Sequence, residues 1–190
     1  MISAFDKGVP VAITVIMIIC GLIFNLEKPL SQIISELGER KNIEENSSEM
    51  EVEMNFFTTD RITESTTQIR DITGVFSYLV EGNQKACLID CGTGTGDIKQ
   101  FVESLTNLPI FLVLTHGHCD HAGGAAYFDD VYLSEADWDL VEYHASMDIK
   151  TDYVNYCSPD IYKKLTGDDF CPVRTNGYKP LQNGQIFDLG

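Results

Sequence analysis

The pattern of hydrophobic and polar positions predicts a series of short strands from about residue 56 onward. The segments "FFTTDRITEST" and "TQIRDIT" alternate β-branched and polar residues, which is typical of strands with one buried face. The segments "VFSYLVEG" (75–82) and "KACLIDCG" (85–92) flank Asn83 and Gln84, a spacing that predicts a β-hairpin. The domain therefore begins, by this pattern, with antiparallel strands.

Helical and strand patterns alternate after this hairpin. The segment "GDIKQFVESLTNL" (96–108) places Ile98, Phe101, Val102 and Leu105 on one helical face. The continuous apolar run "PIFLVLTH" (109–116) is typical of a strand buried on both faces, "HAGGAAYF" predicts a helix, and "VYLS" (131–134) predicts the next strand. This alternation, with partly antiparallel pairing, predicts an α/β or α+β layered domain.

Two turn signals punctuate the last third of the chain. Ser134 followed by Asp137 resembles a capping box at the start of the helix predicted for "ADWDLVEYHASM". Asn183-Gly184, between two extended runs, predicts a type I′ hairpin near residue 190. Trp138 and the tyrosines, Tyr153 among them, are interpreted as core or surface aromatics, with a substrate groove as the alternative.

The first 55 residues have a different composition. Residues 8–26 carry no charge and are almost wholly apolar, and such a stretch is about long enough to cross a bilayer. We expect residues 1–27 to form an uncleaved single-pass membrane anchor, with a buried helix or a mistranslated upstream extension as the alternatives. Positive residues flanking it are too balanced to predict which side the domain faces. Residues 28–55 are interpreted as a polar, acidic linker, and residues 56–190 as the domain.

Charge and cysteine content narrow the class of protein. Lys and Arg number 13 against 29 Asp and Glu, which gives a net charge of −16. A chain this acidic, without a basic stripe, repels phosphate backbones, so nucleic acid is not expected as a primary partner. The six cysteines include no C-x-x-C pair, which excludes a zinc knuckle or a thioredoxin-like motif. Whether they form disulfides stays open at this point.

The strongest chemical signal is "THGHCDHAGG" (115–124), directly after the apolar run. His116 and His118 are two residues apart, so their imidazoles project to the same side of an extended chain. Asp120 and His121 follow at the predicted start of a helix, where a negative group is favoured. Imidazole and carboxylate groups converging from one turn are suitable zinc ligands. Gly123 and Gly124 allow the new helix to pack closely beneath the site.

This motif resembles the signature of the metallo-β-lactamase-fold hydrolases, T/S-H-x-H-x-D-H-x-G-G, and "CLIDCGTGTG" resembles that family's strand-turn segment. The resemblance covers roughly residues 60–190 and implies the N-terminal half of an αββα fold. It implies one or two zinc ions, iron being possible, with His116 and His118 as ligands of the first metal and Asp120 and His121 as ligands of the second. It further implies that Asp90 supports the metal site by hydrogen bonding.

The implied activity is metal-assisted hydrolysis of a small ester, thioester, lactam or phosphoester, with Asp120 as the catalytic residue that orients water. Two alternatives are a mono-iron sulfur dioxygenase on the same fold and a non-catalytic membrane-anchored remnant. The family's later ligands have no counterpart here, since the only later histidine, His144, is predicted to be a helix-surface or packing residue. The resemblance thus predicts a truncated domain, with a C-terminal half or an oligomer as partner.

Overall fold

The computed structural model describes residues 54–190. The predicted anchor at 1–27, and the linker up to residue 53, lie outside the described residues. Among the helices between residues 54 and 190, none has the length and apolar character needed to cross a membrane.

The described residues form one mixed seven-stranded sheet whose strand order follows the sequence from β1 to β7. The first four strands pair antiparallel, and β4 through β7 pair in parallel. The predicted β3–β4 hairpin is confirmed, with Glu81 opposite Ala86. The strands are β1 (Phe57–Thr63), β2 (Thr66–Asp71), β3 (Phe76–Glu81), β4 (Ala86–Ile89), β5 (Ile110–Val113), β6 (Val131–Leu133) and β7 (Lys179–Pro180).

Helices connect the parallel strands and follow β6, which confirms the predicted combination of a mixed sheet with helices. Short 3-10 turns lie at Ala125–Tyr127, Glu135–Asp137 and Gly167–Asp169. The α-helices are α1 (Ile98–Leu105), α2 (Cys119–Ala122), α3 (Trp138–His144), α4 (Met147–Cys157) and α5 (Pro159–Tyr162).

Helix α1 shows how these sequences produce their elements. Asp97 caps it by accepting a hydrogen bond from the Gln100 backbone N–H, which satisfies one of the free donors of the first turn. Ile98 and Val102, one turn apart, are buried in the core. The predicted apolar face is shorter than expected, since Leu105 in the last turn is 38% exposed.

The core lies where β4, β5 and β6 meet, with Leu88, Leu112, Leu114 and Leu133 fully buried. Strand β5 is more accessible than its apolar sequence predicted, because Ile110, Phe111 and Val113 are only partly buried. The parallel central strands nevertheless carry the largest share of fully buried side chains, as expected for strands covered by crossover helices.

Three local predictions need correction. The segment "HAGGAAYF" is not one helix, because α2 ends at Ala122 and only a 3-10 turn follows. Ser134 accepts a hydrogen bond from the Ala136 N–H, and it opens a 3-10 turn ahead of α3 instead of a full capping box.

The type I′ hairpin prediction at Asn183-Gly184 was wrong. Gln185 N–H donates to the Gln182 carbonyl over 3.1 Å, so a turn exists. However, only Gly184 of the two central residues has a positive φ, +76°, and type I′ requires both. The reason is tertiary: residues 181–190 do not pair with themselves but run back to the β3–β4 turn, where the Leu189 carbonyl accepts from the backbone of Gln84.

Candidate metal centre

The candidate site lies at the carboxyl ends of the adjacent parallel strands β4 and β5. Ile89 is opposite Val113 in the register, so Asp90 and Thr115 leave the sheet side by side. The Asp90 N–H donates to the Val113 carbonyl over 2.9 Å, and the Thr115 N–H donates to Asp90 Oδ1 over 2.8 Å. The parallel pairing of β4 and β5 therefore places the Asp90 segment beside the histidine motif.

The loop after β5 presents the histidines by turning sharply into α2. His118 is extended, with φ −71° and ψ 151°, and its carbonyl accepts the first helical hydrogen bonds from His121 and Ala122. Between the first two histidines, a Cβ on Gly117 would lie 2.7 Å from the backbone nitrogen of Val141 in α3. The close approach of α3 therefore requires glycine between His116 and His118.

The structure brings three of the predicted ligands together. His116, His118 and Asp120 each offer one ligand atom, and these atoms all lie within 4.8 Å of one another. His118 is exposed, and His116 and Asp120 are partly buried, so the cluster opens to solvent on one side. The assignment of these residues as metal ligands, first made from the motif, stays a prediction that this geometry fits.

The fourth predicted ligand, His121, lies beside this cluster. Its ring centroid is 4.2 Å from that of His116, and its Nε2 is 3.5 Å from Asp120 Oδ2. Its Nδ1 is 2.9 Å from Asp90 Oδ2, and this hydrogen bond is the main cause that raises the pKa of His121. In the neutral tautomer that donates Nδ1–H to Asp90, the His121 ring would offer its Nε2 lone pair on the side of Asp120.

Asp90 forms hydrogen bonds with Thr115 and His121 behind the cluster of candidate ligands. It is 5% exposed and has φ +60°, the only positive φ of a non-glycine residue between residues 54 and 190. Thr115 Oγ1 donates to Asp90 Oδ2 over 2.8 Å and lies 3.0 Å from His116 Nδ1. A carboxylate that orients a ligand histidine from behind is the usual support of a metal site. The geometry of Asp90 matches that predicted role, whose effect on metal binding is untested.

The surroundings of His116 favour its neutral imidazole. Burial, and then the neighbouring His121 and His118, lower the pKa of His116. Metal ions bind the neutral form of imidazole. Two imidazoles and a carboxylate within reach of one centre are a donor set that zinc accepts, so the residues present fit a divalent metal.

His144, the remaining histidine, lies closer to the site than its sequence context predicted. Its ring centroid is 4.6 Å from that of His118, with the two rings inclined at 65°. Its Nδ1 is a buried polar atom without a hydrogen-bond partner among the described residues. Burial, and then His118, lower its pKa. The predicted packing role of His144 fits these contacts. No local sequence signal indicated that its packing partner is His118, a candidate ligand.

Helix α4 contributes a side chain to the site that the sequence motif did not indicate. The Tyr153 phenol donates a hydrogen bond to Asp120 Oδ2 over 3.1 Å. Burial, and then the Asp120 carboxylate, raise the pKa of Tyr153, so the phenol keeps the proton that it donates. Three residues earlier, the Lys150 Nζ is buried and donates to the carbonyls of Gly123 and Cys171. The only available signal was the spacing of Lys150 and Tyr153 on one helical face.

Glycines allow α2 to pack as closely as the site needs. A Cβ on Gly123 would overlap the backbone carbonyl of Thr93, and a Cβ on Gly124 would lie 2.7 Å from the Cys91 carbonyl oxygen. The Gly123 N–H donates to the Gly92 carbonyl over 2.9 Å, and the Cys91 N–H to the His121 carbonyl over 2.8 Å. The prediction that these glycines permit close packing beneath the site is confirmed.

The five cysteines of the described residues are free thiols, four of them buried. For Cys87, Cys91, Cys119 and Cys171, burial is the main cause of a raised pKa. Cys119, between two candidate ligands, points into the interior and is 4% exposed. In this position Cys119 serves as a small buried packing residue.

Comparison with known proteins finds a family model and individual proteins that are similar to this chain. Residues 70–133 match the sequence model of the Metallo-beta-lactamase superfamily. A curated relative, "Acyl-coenzyme A thioesterase MBLAC2" from Gallus gallus, is 30% identical over an alignment of 69 positions that covers 32% of this chain and 25% of the relative. The chain thus spans about a quarter of the length of that relative.

Solved structures give similar matches. A metallo-beta-lactamase from Pontibacter korlensis is 20% identical, with a TM-score of 0.41 over 47% of this chain and 49% of that chain. A HARLDQ-motif mutant of a metallo-beta-lactamase from Cronobacter sakazakii is 21% identical, with a TM-score of 0.45 over 70% of this chain and 50% of that chain. The sequence match over residues 70–133 contains Asp90 and the whole histidine motif, so this part of the chain is similar to the metallo-β-lactamase superfamily.

Proposed function

We propose that this chain carries the metal-binding part of a zinc-dependent hydrolase. The observation that supports this proposal most directly is the convergence of His116, His118 and Asp120, whose ligand atoms lie within 4.8 Å of one another. The match of residues 70–133 to the Metallo-beta-lactamase superfamily model also supports it. The proposal concerns the whole protein, of which these residues provide one edge of the site.

The ligands would divide between two metal positions. His116 and His118 would hold the first, and Asp120 and His121 the second. The chemistry that zinc supplies in such a site is Lewis acidity, which lowers the pKa of water toward neutrality and polarises a substrate oxygen. Asp120 would also orient the attacking water and accept its proton. Asp90 would keep the His121 ring in place through its 2.9 Å hydrogen bond.

The substrate class that we propose first is an acyl thioester. This choice rests on the name of the curated relative, an acyl-coenzyme A thioesterase. A thioester carbonyl presents a developing oxyanion that a cationic site stabilises, as do esters, lactams and phosphoesters. Because the chain has a net charge of −16, an anionic substrate would depend on the local positive charge of the metal site to bind.

A hydrolysis assay on the full 190-residue chain tests the proposal. The chain is depleted of metal with a chelator, reloaded with Zn²⁺ or Fe²⁺, and offered an acyl-coenzyme A, an aryl ester, a β-lactam and a phosphodiester. We expect zinc-dependent cleavage of the thioester, which Asp120→Asn should reduce by about 100-fold or more. The matched control is Asp129→Asn, since Asp129 is exposed and forms no part of the cluster.

Two outcomes would contradict the proposal. Absence of cleavage of all four compounds with zinc bound would remove the hydrolase assignment for this chain. Activity with Fe²⁺ and molecular oxygen alone would favour the iron-dependent alternative.

A further inference from the structure

Helix α4 lies against α2 and is fixed to it at two points one turn apart. At the first, Lys150 is 3% exposed, and its Nζ donates to the Gly123 carbonyl over 2.8 Å and to the Cys171 carbonyl over 3.1 Å. At the second, the Tyr153 phenol reaches Asp120. Directly after Tyr153, the fully buried Val154 packs α4 into the interior. Tyr153 therefore projects from a fixed backbone.

The hydrogen bond from Tyr153 limits how the Asp120 carboxylate can rotate. Oδ2 accepts the phenol O–H over 3.1 Å and faces His121 Nε2 at 3.5 Å. Among the hydrogen bonds between described side chains, the one from Tyr153 is the only one that Asp120 accepts. Without it, the carboxylate would be free to turn about its χ2 angle, a torsion with a broad distribution.

We infer that Tyr153 is a positioning residue, which holds the Asp120 carboxylate in the orientation needed at the second metal position. This inference deepens the proposed function and rests on it. A ligand that is already oriented loses less conformational freedom when the metal binds. Loss of a hydrogen-bond partner behind a metal ligand typically costs about 10- to 100-fold in metal affinity.

Neighbouring side chains of α4 supply the control. Tyr156 lies three residues further along the same helix and is 88% exposed, so its phenol is in solvent. Tyr153→Phe and Tyr156→Phe remove the same hydroxyl group from the same helix, and only the first removes a contact with Asp120. Any general effect of the substitution on α4 should be common to both.

The test is titration of the full, metal-depleted chain with Co²⁺, followed by its visible absorption spectrum and by calorimetry. We expect Tyr153→Phe to weaken binding of the second Co²⁺ equivalent by about 10-fold or more and to change its absorption bands, and Tyr156→Phe to match the wild type. A double-mutant cycle separates positioning from folding: in an Asp120→Asn background, Tyr153→Phe should have little further effect.

The possible results are distinguishable. Equal affinity and equal spectra for the wild type and Tyr153→Phe would overturn this inference and leave the proposed function standing. A loss that persists undiminished in the Asp120→Asn background would show that Tyr153 acts through folding, and would also overturn it. If the wild type binds no Co²⁺, the inference and the proposed metal site both fail.

Discussion

At the scale of single residues, Asp90 has two roles: its backbone adopts a left-handed conformation, and its carboxylate accepts hydrogen bonds behind the candidate metal site. Its φ of +60° places it in the left-handed region, which aspartate and asparagine tolerate better than most residues. Its two carboxylate oxygens accept hydrogen bonds from the backbone and hydroxyl of Thr115 and from His121. Asp90 therefore forms the turn after β4 with its backbone, and its carboxylate orients Thr115 and His121 in the metal motif.

Asp90→Asn separates these two roles. Asparagine keeps the size and the left-handed tolerance, but its amide NH₂ cannot accept the hydrogen bonds that one carboxylate oxygen now accepts. We expect zinc affinity to fall by about 10- to 100-fold and the free energy of unfolding to fall by about 1–3 kcal/mol. Calorimetric zinc titration and chemical denaturation measure the two effects, with Asp129→Asn as the exposed control. Unchanged zinc affinity would show that Asp90 serves only the turn.

At the scale of elements, α2 is a four-residue helix that packs on the 91–93 segment through its glycine end. Because the space for a Cβ on Gly123 is taken by the Thr93 carbonyl, helix and loop would have to separate to admit a side chain. Such overpacking typically costs about 1–3 kcal/mol. The same movement would shift His121, whose carbonyl is bonded to the Cys91 N–H.

Gly123→Ala should therefore lower both stability and metal affinity. Its φ of −61° is an ordinary helical value, so the expected loss comes from the overlap with Thr93 and not from backbone strain. The matched control is Gly167→Ala, because nothing lies within 4 Å of a Cβ at Gly167. Thermal unfolding with and without zinc measures both effects. A Gly123→Ala protein as stable as the Gly167→Ala protein would contradict the close packing of α2.

Sequence patterns predicted the elements that are determined by residues close together in the chain. The hairpin of β3 and β4, the helix after Asp97 and the strand before His116 each follow from periodicity and turn residues within a few positions. The ligand motif was predictable for the same reason, since its four candidate residues fall between 116 and 121.

Contacts between distant segments were not predictable in this way. Tyr153 reaches Asp120 and His144 reaches His118 only because α3 and α4 fold back over the motif loop. Neither helix contains a residue pattern that specifies those partners, and no sequence pattern in α4 indicates that Lys150 is buried. The end of the chain was mispredicted for a similar reason, because the partner of residues 181–190 is the distant β3–β4 turn.

At the scale of the whole molecule, the net charge of −16 bears on how metal binding is measured. A strongly acidic surface attracts divalent cations weakly at many places, and salt screens that attraction. A specific site should instead bind zinc in a fixed stoichiometry that salt hardly changes. Zinc that binds the folded chain and not the unfolded chain also raises the free energy of unfolding. The increase is about 2.7 kcal/mol when the free zinc concentration is 100 times the Kd.

The most direct test of the metal site is zinc titration of the full, metal-depleted chain at about 0.15 M salt, against a His116→Ala/His118→Ala double variant. We predict one or two zinc equivalents bound with a Kd below about 1 μM in the wild type, and loss of at least the first equivalent in the double variant. Zinc binding that is weaker than this, or that is the same in both proteins, would contradict a metal centre at His116, His118, Asp120 and His121.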